Sequence, residues 1–137
     1  ERADDILKKR ATAARMERNK IILDAKRKAV DRVYELLLDG LKKLNEDEFV
    51  NLVSIAVEKY GEDGQKILLS ASAPAKKEKI ESLAAVKNKS MIVETADGLR
   101  DGFAISGEIF DRDFSYASIV GSCRERTENE VAARLLR

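Results

Sequence analysis

The chain has 137 residues, 37% of them charged and 5% aromatic, with a formal net charge of +1, no histidine and one cysteine. Without histidine the commonest metal ligand and the commonest neutral-pH general base are missing, and the lone Cys123 excludes an intrachain disulfide and a thiolate zinc site. The near-neutral total hides a division, because residues 1–44 hold thirteen Lys/Arg against eight Asp/Glu (+5), whereas residues 45–137 hold thirteen against seventeen (−4).

Residues 1–44 contain no proline and one glycine, Gly40, so they are predicted as one continuous helix or two helices broken near one point. At 1.5 Å per residue such a rod is roughly 66 Å long, more than a domain of about a hundred residues covers with its own core. Its outer part must meet another chain or remain in water. Positions eleven apart repeat in kind: Ala3, Ala14, Ala25 and Leu36 form one set, Ala11, Ile22, Val33 and Leu44 a second, and Leu7, Arg18, Ala29 and Gly40 a third that is interrupted at Arg18. An eleven-residue repeat favours a right-handed supercoil. Alanine in the seam buries less area per turn than leucine but lets helices approach closely. We therefore expect a partner-helix stripe of Ala3, Leu7, Ala11, Ala14, Ile22 and Ala25, against the alternative of a solvated, charged single helix. Lys8, Lys9, Arg10, Arg15, Arg18 and Lys20 are mixed with Asp4, Asp5 and Glu17, and no aromatic precedes Tyr34. A nucleic-acid surface would need a single-signed stripe or a stacking platform, and this helix has neither.

From Ala29 the apolar face widens through Val30, Val33, Tyr34, Leu36, Leu37, Leu38, Leu41 and Leu44, too broad for a two-helix seam, so this part should pack into a core. We place the boundary there: residues 1–28 as a coiled-coil stalk helix, 29–137 as a globular domain. Asn45 with Glu48 reads as a capping box opening a helix over about 46–60, with Phe49, Leu52, Val53, Ala56, Val57 and Tyr60 on one face and Gly61 beyond its end. Residues 65–71, centred on Ile67, Leu68 and Leu69, read as a buried strand. Pro74 suits the first turn of a helix over about 75–87. Met91 to Val93, Phe103 to Ile105 and Ile109 with Phe110 mark three further strands, the last two forming a hairpin turned at Gly107. Asp113 or Ser115 can cap a final helix running to the end, its inward face Tyr116, Ile119, Val120, Cys123, Val131 and Leu135. The fold class is α+β: a long N-terminal helix, then a compact domain with a small, mostly antiparallel four-stranded sheet packed by helices.

No catalytic, cofactor or metal site emerges. Asp97, Asp101, Glu108, Asp111 and Asp113 crowd the glycine-rich region, but acidic residues flank turns because they tolerate turn geometry. Gly98, Gly102 and Gly107 match neither a dinucleotide fingerprint nor a phosphate loop and are expected to be hairpin residues with positive φ. Cys123 is expected to be a small core residue. No stretch approaches eighteen apolar residues and no signal-peptide pattern opens the chain, so a soluble protein with no direct membrane span is expected.

Asp97 to Ile109, followed by Asp113-Phe114-Ser115-Tyr116, resembles the "GGF-I…G-I…TF" segment of the E subunit of the V-type and archaeal A-type rotary ATP synthases. Glu130-Val131-Ala132-Ala133-Arg134-Leu135-Leu136 is similar to that family's "PE(V/I)A..LF" close, Ala25 to Tyr34 to its "AKRE-IDEVF" stretch, and Asp47-Glu48-Phe49 to the "EEY" opening of its next helix. Asp101-Gly102 stands where the family has paired glycines, Asn129 where it has proline, and Leu136 where it has phenylalanine. The resemblance implies a non-catalytic stator component without cofactor, in the cytoplasm and peripheral to the membrane. Its long helix would pair with the G subunit (the H subunit in archaea) in a right-handed coiled coil, its C-terminal domain would hold the head through the B subunit, and the far end of the pair would reach the membrane-embedded a subunit. The readings from other classes are a self-associating coiled-coil adaptor and a small hydrolase using the acidic turn cluster.

Overall fold

The computed structural model describes Arg2 to Leu135, so Leu136 of the closing motif lies outside the described residues. Contacts divide the chain into two compact units, Glu1–Leu36 with Arg124–Arg137, and Leu37–Cys123.

In the first unit helix α1 (Arg2–Lys42) begins, a single helix with no break, as a segment without proline allows. Val30 and Tyr34 are its buried residues. The Tyr34 hydroxyl is 2.8 Å from Thr127 Oγ1, and Arg124 donates to Asp31 Oδ1 at 2.6 Å while its guanidinium lies 5.1 Å from the Tyr34 ring centroid. The wide apolar face expected from Ala29 onward is narrower than its composition implied, since Leu36 is exposed.

The second unit is built on helix α2 (Glu46–Tyr60) and a sheet of β1 (Lys66–Ser70), β2 (Ile92–Ala96), β3 (Phe103–Ser106) and β4 (Asp111–Phe114) in the order β2-β1-β3-β4. β1 and β2 are parallel; the other neighbours are antiparallel. The α+β class and the mostly antiparallel four-stranded sheet are therefore as expected from the sequence. The capping box forms as read, with Asn45 Oδ1 accepting from Glu48 N–H at 2.9 Å and Glu48 Oε1 from Asn45 N–H at 3.1 Å. Phe49, Val53 and Val57 of α2 pack with Ile67, Leu69, Ile80, Val86, Val93, Phe103 and Ile105 in one core. Phe49 meets Phe103 edge to face with centroids 6.0 Å apart, the arrangement that aligns ring edge with ring face.

Four local expectations are corrected. The single helix over 75–87 is two short ones, α3 (Lys77–Glu81) and α4 (Ala84–Asn88), and Pro74 precedes both. The Ser82 hydroxyl turns back onto the Lys79 carbonyl at 2.6 Å and Leu83 is extended, so a local side-chain bond displaces the helical one. The fourth strand is not Ile109-Phe110 but Asp111–Phe114, a charged edge strand that hydropathy does not mark. In helix α5 (Tyr116–Leu135) only Tyr116 is fully buried, and Leu135 is exposed. Of Gly98, Gly102 and Gly107, only Gly102 has positive φ, at 68°. Gly107 is needed for room instead: a Cβ there would stand 2.9 Å from the Phe110 carbonyl oxygen.

Candidate functional site

Helix α1 supplies the most extensive unused apolar surface. Every residue from 2 to 28 is exposed, Leu7 at 63% and Ile22 at 46%. The structure places all six stripe residues, Ala3, Leu7, Ala11, Ala14, Ile22 and Ala25, on this one unbroken helix. At 3.6 residues per turn they fall within an arc of about 100°. That is the width of an apolar face meant for another surface. Arg18 falls inside the same arc.

Two apolar features escape the sequence reading. Met16 and Leu23 are also exposed and lie outside the arc, spaced seven apart from each other and from buried Val30. That spacing is the available signal, and the eleven-residue repeat draws attention away from it. The second feature lies at the β3–β4 hairpin, where Ile109 is 92% and Phe110 61% exposed. They border a groove of about 670 Å³ between the hairpin and the segment Glu62 to Lys66, with Tyr60 and Arg112 in its wall. The Arg112 guanidinium sits 4.9 Å from the Tyr60 centroid and 5.4 Å from that of Phe110, a cation between two π faces.

The acidic cluster is spent on local structure. Asp101 Oδ1 accepts from the Tyr116 N–H at 2.9 Å, and Asp113 Oδ1 from the Ser115 N–H at 2.8 Å, so both satisfy donors at the start of α5. Asp113 Oδ2 accepts from the Ser118 hydroxyl, and Asp111 accepts from Ser106 at 2.9 Å. The backbone bond from Ser115 holds the Asp113 carboxyl below its ordinary pKa, against a smaller opposing effect of burial. Burial, with the Asp101 charge second, pushes the Tyr116 phenol up. Among the described residues no three His, Cys, Asp or Glu side chains are grouped to hold a metal ion. None of the described helices is long and apolar enough to cross a membrane. Cys123 is half-buried.

The chain is 29% identical over 115 residues to the first of the V-type ATP synthase E subunits of Clostridium tetani (strain Massachusetts / E88). The match covers 77% of this chain and 58% of that relative, so the chain spans somewhat over half of the relative's length. No family model matches. No solved structure matches.

Proposed function

We propose that this chain is an E-type component of a V-type rotary ATP synthase, acting without catalysis as half of the peripheral stalk. Residues 1–28 form the stalk helix and 29–137 the domain that grips the head. The observation that carries the reading is the exposed arc of α1, where Ala3, Leu7, Ala11, Ala14, Ile22 and Ala25 lie uncovered along a helix with no core of its own. The distant likeness to an E subunit of a V-type ATP synthase supports it.

Covering that arc with a helix from the G subunit (the H subunit in archaea) would bury the apolar seam and yield a right-handed coiled coil. A thin pair of this kind resists tension and torsion while tolerating bending. Anchored to the B subunit of the head at one end and to the membrane-embedded a subunit at the other, on the cytoplasmic face, it would keep the head from turning with the rotor. Proton or sodium flow would then stay coupled to ATP synthesis or hydrolysis. Mixing the chain with the G subunit of the same source should give a 1:1 heterodimer with raised helicity by sedimentation and circular dichroism. Two proteins that stay separate at micromolar concentration, or a tight symmetric homodimer of this chain alone, would overturn the reading and favour a self-associating adaptor.

A further inference from the structure

We propose that the β3–β4 hairpin tip is a docking knob for a second protein, one that presents an apolar recess rimmed by Lys and Arg. Ile109 and Phe110 occupy and border a hairpin loop closed by the Gly107 N–H on the Phe110 carbonyl. Such loops favour Asn, Asp and Gly for their backbone freedom, and an isoleucine adds nothing to the turn. Ile109 is 92% exposed, so it adds nothing to the core either. Two adjacent apolar side chains at a protruding tip have a use only if something covers them.

The surrounding charges indicate what does. Glu62, Asp63 and Glu108 ring the groove and form no ion pair among the described residues. The cations beside them are engaged: Lys66 pairs with Glu94 at 3.4 Å, and Arg112 stacks between Tyr60 and Phe110. The collar is therefore acidic in effect, and a basic rim on the partner would complement it and steer the encounter. Arg112 also fixes the Phe110 ring, which limits the ordering cost of docking.

This docking role rests on the stalk reading for the partner, which is the nucleotide-binding head. The test titrates the full chain, paired with the G subunit, onto the isolated head of the same ATP synthase at low and high salt. Wild type should bind, more weakly as salt rises, and Ile109→Asp/Phe110→Ser should bind about tenfold or more weakly. Glu62→Lys/Glu108→Lys should lose affinity and salt dependence while keeping the tip, which guards against a folding defect in the first variant. Circular dichroism should show both variants folded and still paired with the G subunit. Wild-type binding that neither variant alters would overturn the docking role and leave the stalk reading intact. A wild type that does not bind the head, or a chain that dimerises through its own tip, would overturn both.

Discussion

The Lys89 ammonium lies 2.7 Å from the Val57 carbonyl oxygen and 2.7 Å from that of Gly61, with Glu58 a third acceptor at 3.2 Å. A side chain thirty-two positions along the chain thus closes the C-terminal end of α2, where the last turn leaves carbonyls without helical partners and the helix dipole favours a cation. Replacing it with methionine keeps the stem and removes every donor. Lys89→Met should destabilise the chain by about 1.5–3 kcal/mol, the range for hydrogen bonds to a charged group. The check is a lowered urea midpoint at unchanged slope, with pairing through α1 unaffected at temperatures where the variant is folded.

Gly102 and Gly98 stand four residues apart in the same loop and should respond oppositely to alanine. At Gly102, with φ of 68°, a Cβ would meet the Phe114 carbonyl oxygen at 2.3 Å, whereas at Gly98 it meets open space. Gly102→Ala should cost at least about 1–2 kcal/mol from the left-handed backbone alone, with the clash added. Gly98→Ala should lie within about 0.5 kcal/mol of wild type. Thermal denaturation of the two variants side by side distinguishes them.

Asp113 makes stability depend on acid. Its carboxyl is held below the ordinary aspartate value chiefly by the Ser115 N–H, so its folded pKa is depressed. The contribution is fully present above the unfolded pKa near about 4 and is lost as pH falls through the lower folded value. Asp113→Asn should be less stable than wild type at neutral pH and should narrow that gap as pH drops below about 4. Urea midpoints measured from pH 6 down into that window test the sign, and an unchanging gap would contradict it.

Much of this arrangement was legible because its causes are local. The Asn45 and Glu48 capping pair, the Phe49 to Val57 face and the apolar centres of β1 and β3 follow from spacing within a few residues. What stayed hidden depends on distant or weak signals. Lys89 closing α2 and Asp101 capping Tyr116 join residues far apart in sequence, which periodicity does not register. β4 is made of Asp111, Arg112, Asp113 and Phe114, so its charge disguises an edge strand, while the more apolar Ile109-Phe110 beside it belongs to the turn. The α1 stripe was visible as an eleven-residue repeat, and Met16 and Leu23 escaped because they follow a different period.

On α1 the position of a charge should decide its effect. Ile22→Asp puts a carboxylate in the middle of the exposed arc, and losing an isoleucine's burial is worth about 1.5–3 kcal/mol, or roughly ten- to a hundredfold in affinity for a partner helix. Lys9→Glu, on the opposite side of the same helix, should leave that affinity within about twofold at physiological salt, since exposed charges contribute little. Both variants should fold as wild type, because residues 2–28 contribute nothing buried to the isolated chain.

Hydrogen exchange across residues 2–28, measured on the chain alone and after adding the G subunit, tests the central claim most directly. The expected result is rapid exchange in isolation and strong protection along the whole segment on mixing, abolished by Ile22→Asp and retained by Lys9→Glu. Exchange in this segment that stays the same with and without the G subunit would contradict the account.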